Sequence, residues 1–160
     1  MSAVETIEET VARLLTDRGL TIGTAESCTG GLLAKRLTDV AGSTTYMDRG
    51  VVTYSNRSKV ELLGVPETII VEHGAVSPET ARAMAEGIRR ISGTDIGISI
   101  TGIAGPGGGS PEKPVGLVYI GLATADGVTV QRFVFPGDRA EVRLATSSAA
   151  LEMIREYAAG

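Results

Sequence analysis

Leu20-Thr-Ile-Gly-Thr-Ala-Glu-Ser-Cys-Thr-Gly-Gly-Leu-Leu-Ala-Lys35 changes periodicity half-way along its length. The β-branched run Leu20 to Thr24 reads as a strand, and Leu32, Leu33 and Leu37 then recur at the three- and four-residue spacing of a helix. The turn between them carries Glu26, Ser27, Cys28 and Thr29, whose side chains can bond, ionise or attack, and Gly30 and Gly31, which let another group approach the backbone closely. A hydroxyl there sits at a helix N-terminus, where unpaired N–H groups and the helix dipole favour developing negative charge. An attacking nucleophile needs such a place. An ordinary capping serine or threonine occupies it too.

Working outward, a first helix is expected from Ala3 to Asp17, with Val4, Ile7, Val11, Leu14 and Leu15 on one face and Gly19 as its stop. On the other side of the turn, Gly50-Val-Val-Thr-Tyr54 ends a second strand. Ser55-Asn-Arg-Ser58 then caps a short helix through Lys59, Leu62 and Leu63 that stops at Gly64. Val65-Pro-Glu-Thr68 opens a further helical turn, and Ser77-Pro-Glu-Thr80 starts a helix with the apolar stripe Ala81, Met84, Ala85, Ile88 and Ile91. Asp95 to Thr101 reads as a strand emptying into the long irregular segment Gly102 to Pro114, and loops of that length in compact domains are usually functional or disordered. Val115–Thr124 and Val128–Phe135, joined at Ala125-Asp-Gly127, form a hairpin. Asp138 with Glu141 makes a capping box for a last helix bearing Leu144, Leu151 and Ile154. Alternating helices and strands without linker or repeat predict one domain over residues 1–160. It is a three-layer α/β/α fold with a mixed, largely parallel sheet, a C-terminal β-hairpin and a final helix.

Composition narrows the function. Hydrophobic residues are 42% of the 160 positions and glycines number 21, as in a compact α/β protein rich in tight turns. A net charge of −4 and 4% aromatics argue against a nucleic-acid partner, which calls for a basic face and stacking platforms. One cysteine and one histidine leave neither a disulfide nor a recognisable zinc site. The start of the chain lacks a leader pattern and no stretch approaches a membrane span, so a cytoplasmic protein with no membrane partner is expected.

If Ser27 attacks a carbonyl, it needs a base. His73 lies outside any motif that would make it one, and Asp and Glu are weak bases toward a hydroxyl. The remaining candidate is a lysine kept neutral by burial. Lys59 is the best placed, on a small helix able to fold over the Ser27 turn, with Tyr54 as a proton relay; at the surface it would be an ordinary solvated charge. Cys28 with Glu26 and Lys59 forms a rival, nitrilase-like set of residue types, set against the commoner role of cysteine as a small buried hydrophobe. The Gly102–Pro114 loop can cradle a phosphate on successive glycine amides, though it matches neither the P-loop nor the Gly-x-Gly-x-x-Gly pattern; its other reading is a flexible lid. Arg139 and Arg143, opening the last helix, can pair with a phosphate or face solvent.

Together the motifs Thr24-Ala-Glu-Ser-Cys-Thr-Gly-Gly31, Gly50-Val-Val-Thr-Tyr-Ser-Asn56 with Lys59, His73-Gly-Ala-Val-Ser77, Gly102-Ile-Ala-Gly-Pro106 with Lys113-Pro-Val-Gly116, and Phe135-Pro-Gly-Asp-Arg139 closely resemble the CinA C-terminal domain family. Its members include the nicotinamide-nucleotide amidases, also called NMN deamidases or PncC. The resemblance covers nearly the whole chain and favours the stand-alone form, without the molybdopterin-binding-like domain that precedes this one in longer members. It implies hydrolysis of nicotinamide mononucleotide (NMN) to nicotinate mononucleotide and ammonia in pyridine nucleotide recycling, with no metal and no cofactor. Carried over by motif, the nucleophile falls on Ser27, the tyrosine on Tyr54 and the lysine on Lys59. Glu26, Thr29, Gly30, Gly31, Thr101, Gly102, Gly105 and Arg139 are the expected substrate contacts. Thr101 stands where members often carry serine, and keeps a hydroxyl. Some members are linked to DNA competence, so a non-catalytic nucleotide-binding or regulatory module is the alternative. Small α/β enzymes are often symmetric, and a homo-oligomer is expected.

Overall fold

The computed structural model describes residues 4–160. Strand β1 (Ile22–Glu26) is buried at every residue, so it must be covered on both faces and flanked on both edges. It pairs in parallel with β2 (Met47–Val52) and with β3 (Ile96–Gly102); β3 runs antiparallel to β4 (Leu117–Thr124), which turns through Ala125 and Asp126 into antiparallel β5 (Gly127–Val134). The sheet order is β2-β1-β3-β4-β5, mixed with parallel pairing around β1.

Among the described residues, six helices cover it: α1 (Ile7–Arg18), α2 (Leu32–Thr38), α3 (Asn56–Leu63), α4 (Glu67–His73), α5 (Pro78–Ser92) and α6 (Arg139–Ala159). Residues of α1, α2 and α6 form one core with Ile22, Ile96, Ile98 and Ile100; Leu63, Val65, Ile70, Met84 and Ile88 form another against Ala25. These are the two interfaces of an α/β/α sandwich. The strand residues between the isoleucines are small for a reason. A Cβ at Gly97 would lie 2.5 Å from the Ala85 carbonyl oxygen, and one at Gly121 2.7 Å from that of Ala81, so α5 rests on strand backbone where any side chain would hold it off. No helix among the described residues is long and apolar enough to cross a membrane.

Several boundaries move for local reasons. The first helix starts at Ile7, because Thr6 and Glu9 close a capping box there. Ala3 lies outside the described residues, and Val4 is exposed and takes no part in the buried face. Strand β2 ends at Val52; Ser55 already caps α3, so Tyr54 lies in the connector and not in the strand. Leu144 faces solvent, because Val142, about 200° away around α6, takes the core side.

The chain leaves β1 through α2 toward β2 on one side, then returns across β1 to β3 on the other. That reversal is the topological switch point of an open α/β sheet, where a crevice opens beyond the strand carboxyl ends. Ser27, Thr53 and Gly102 all sit at that edge.

Candidate active site

Ser27 is the first residue beyond β1, and its N–H donates to the Ile100 carbonyl at 3.0 Å, which anchors it to β3. The residue is nearly buried. Lys59 approaches from α3, where the Ser55 cap and the left-handed Gly64 stop fix two turns of helix over the crevice. Lys59 is 1% exposed. Its Nζ donates to the Thr53 carbonyl at 2.9 Å, the Tyr54 carbonyl at 3.3 Å and Ser27 Oγ at 3.2 Å. Burial lowers its pKa from the ordinary lysine value. The two carbonyls can only accept, whereas the hydroxyl can accept or donate. A neutral amine therefore places its two N–H bonds on the carbonyls and leaves its lone pair for the Ser27 proton. The ammonium form is satisfied by the same three partners. This geometry lets one proton pass between Ser27 and Lys59 without disturbing the site.

Tyr54 contributes its backbone here. Its side chain is 61% exposed, and its phenol accepts a hydrogen bond from Arg139 Nη2 at 3.2 Å rather than bonding Ser27 or Lys59. A hydroxyl relay through Tyr54 has no hydrogen-bonded path in this arrangement. The second Arg139 nitrogen, Nη1, donates to the Gly105 carbonyl at 2.8 Å.

Glu26 also departs from expectation. Its carboxylate is buried and points away from the crevice, accepting from the Thr29 hydroxyl at 2.6 Å, the Leu33 N–H at 2.8 Å and the Ala34 N–H at 3.0 Å. Helix α2 begins at a left-handed Gly31 with no side-chain cap of its own, and Glu26 supplies the missing acceptor. Thr29 is consumed by the same bond. Gly30 and Gly31 have φ of 59° and 102°, so both serve the turn's geometry. None of the four lines the cleft. Arg143 holds the turn from its other side, with Nε donating to the Cys28 carbonyl at 3.2 Å and Nη2 to the Thr29 carbonyl at 3.0 Å.

The cleft itself has a volume of about 280 Å³. Ser27, Cys28, Tyr54, Lys59, Thr101, Gly102, Gly105 and Arg139 all line it. Thr101 donates its hydroxyl to the Ala75 carbonyl at 2.7 Å, which ties the end of β3 to the segment before α5. Asn56, Ala75 and Val76 also line it. Nothing in the sequence marks these three as site residues: the last two offer backbone and small apolar side chains, which residue type does not announce. A larger hollow of about 390 Å³, between Arg89, Arg90, Thr94 and Thr124 at the other end of the sheet, is lined by no serine, cysteine or lysine. Burial pushes the Cys28 thiol up to about 11, so the rival thiolate mechanism lacks its nucleophile near neutral pH. His73 lies away from the cleft, its imidazole beside Glu72 and Glu79.

The sequence profile of the CinA C-terminal domain matches residues 4–158. The chain belongs to this family. Among curated relatives it is 56% identical over 156 residues to a CinA-like protein of Syntrophus aciditrophicus, and 53% identical over 156 residues to a putative competence-damage inducible protein of Caldanaerobacter subterraneus. These matches cover 97% and 98% of this chain but only 37% and 38% of those proteins, so the chain spans under two fifths of their length. Solved structures agree with the CinA assignment. The competence/damage inducible protein CihA from Agrobacterium tumefaciens is 46% identical with a TM-score of 0.89, over 96% of this chain and 97% of that one. The CinA superfamily protein KP700603 from Klebsiella pneumoniae is 36% identical with a TM-score of 0.93, over 99% of both.

Proposed function

We propose that this CinA-family domain is an amidohydrolase using a Ser27–Lys59 pair, and that its substrate is the carboxamide of nicotinamide mononucleotide. The observation carrying this reading is a buried lysine amine, with burial lowering its pKa, 3.2 Å from a serine hydroxyl in a cleft of about 280 Å³. Neutral Lys59 accepts the Ser27 proton while Ser27 Oγ bonds to the carboxamide carbon. The oxyanion meets the Cys28 N–H, the amide that follows the nucleophile, a position that serves this role in other serine hydrolases. Lys59 then returns the proton to the departing nitrogen, and ammonia leaves as the C–N bond breaks. Water attacks the acyl-enzyme, gives a proton to Lys59 and releases nicotinate mononucleotide, and the proton passes back to Ser27. Removing one such oxyanion donor elsewhere costs about 3 kcal/mol of barrier. The phosphate end of the substrate is assigned to the 102–108 loop, whose Gly105, Gly107 and Gly108 border the cleft beside Arg139.

A coupled ammonia assay with NMN tests the reading. The wild type is expected to release ammonia and Ser27→Ala to release none while keeping its melting temperature. Full activity in Ser27→Ala ends the serine mechanism. A rise in melting temperature with NMN but no ammonia from the wild type identifies a nucleotide-binding module instead.

A further inference from the structure

The turn after Ser27 is held by a relay of peptide units. A trans peptide points its carbonyl and its N–H in opposite directions, so fixing one end aims the other. The Ser27 carbonyl accepts from the Gly30 N–H at 3.1 Å. The other end of that Ser27–Cys28 peptide is the Cys28 N–H, which among the described residues donates to no backbone carbonyl and belongs to a residue lining the cleft. The Gly30 N–H is itself one end of the Thr29–Gly30 peptide, and the carbonyl at its far end is gripped by Arg143 Nη2 at 3.0 Å. The same guanidinium takes the Cys28 carbonyl through Nε at 3.2 Å, a fork across two consecutive carbonyls. Gly30 makes room for it: a Cβ there would lie 3.2 Å from Arg143 Nη2, at a φ of 59°. In contrast to Arg139, Arg143 does not border the cleft.

We propose that Arg143 is a positioning residue for the amidase reaction proposed above. From α6 it sets the tilt of the peptides following Ser27 and so aims the Cys28 N–H at the developing oxyanion, without touching substrate. Arg143 and Arg139, one helical turn apart, therefore divide the labour between chemistry and binding.

The test is a kinetic split. Arg143→Gln cannot span both carbonyls, and its kcat for ammonia release from NMN is expected to fall about 10- to 100-fold, up to the loss of one oxyanion donor, with KM within twofold. Arg143→Lys, which keeps the charge but loses the fork, should fall between the two. Arg139→Gln should instead raise KM more than it lowers kcat. A kcat within threefold of wild type in Arg143→Gln, or a raised KM with unchanged kcat, overturns the proposal. A second readout does not depend on NMN. The rate at which a fluorophosphonate labels Ser27, followed by mass spectrometry, should fall at least tenfold in Arg143→Gln. Equal labelling of the folded variant and wild type refutes the positioning role even if NMN is not the substrate, and no labelling of wild type refutes both readings. If Arg143→Gln fails to fold, the same two measurements on Arg143→Lys decide, with wild-type values counting against.

Discussion

Replacing Glu26 by glutamine keeps shape and length while changing one acceptor into a donor, and the structure says what that costs. The two carboxylate oxygens serve three donors: Oε1 takes the Thr29 hydroxyl and the Leu33 N–H, and Oε2 takes the Ala34 N–H. In Glu26→Gln one amide orientation sets an NH2 group against the Ala34 N–H, and the flipped one sets it against the Leu33 N–H. Either way one backbone donor of α2 loses its acceptor, at a cost of about 1–3 kcal/mol, and the surviving bonds drop from charge-assisted to neutral, weaker by roughly 1 kcal/mol each. Relief from burying a carboxylate offsets part of this, leaving a loss of about 2–4 kcal/mol. At about 2–4 °C per kcal/mol for a domain of this size, the melting temperature should fall by roughly 5–15 °C. Thermal and urea unfolding by circular dichroism at pH 7 measures the loss, and ammonia release per folded molecule shows whether turnover follows it. A melting temperature within 2 °C of wild type, with turnover abolished, would refute the capping role and return Glu26 to the chemistry.

Lys59→Arg should lose at least about 10³-fold in kcat/KM, since a guanidinium does not give up its proton; activity within tenfold of wild type would place the base elsewhere. With the Lys59 pKa lowered by burial, kcat/KM should rise with pH as the amine loses its proton and level off below the ordinary lysine value of about 10.4, and a profile still climbing past that value would contradict a desolvated amine. Iodoacetamide at pH 7 should inactivate slowly, because a Cys28 thiol held up near 11 is almost wholly protonated; rapid stoichiometric inactivation would revive the thiolate scheme. Gly97→Ala should destabilise by about 3 kcal/mol in urea unfolding, as its Cβ meets the Ala85 backbone at 2.5 Å, and a loss under 1 kcal/mol would show that α5 can retreat.

Much of this was legible in the chain because local chemistry and tertiary placement agreed. The Ser55 and Ser77 caps, the Asp138–Glu141 capping box and the glycine stops at 64 and 93 set helix ends where residue type alone locates them. Ser27, Lys59 and Thr101 reached one cleft because strand ends meet at the switch point. What sequence could not carry was side-chain direction at a strand end and through the turn after it. Glu26, Ser27 and Thr29 are close neighbours, yet Ser27 faces the cleft while Glu26 and Thr29 bond each other beneath it. Nor does a sequence advertise work done by backbone. The groups that hold Lys59 are the carbonyls of Thr53 and Tyr54, for which any residue would do. The tyrosine side chain that stood out in the sequence lies at the rim with Arg139.

These two facts bear on each other. A buried lysine beside a carboxylate keeps its charge, because an ion pair favours the ammonium form, and a charged Lys59 has no lone pair to offer Ser27. Glu26, one residue from Ser27, is the acid most able to spoil the pair. Its oxygens are turned onto the start of α2, where three donors hold them. Lys59 meets only two neutral carbonyls and a hydroxyl, which hold the amine in place without fixing its charge. The Glu26 cap thus serves two ends at once, completing a helix that lacks its own N-terminal acceptor and keeping a negative charge off the lysine proposed as base. Substitutions that loosen the Glu26 carboxylate, such as Thr29→Val, which removes one of its three donors, are therefore expected to act on the Lys59 titration as well as on stability, raising the pH at which kcat/KM levels off.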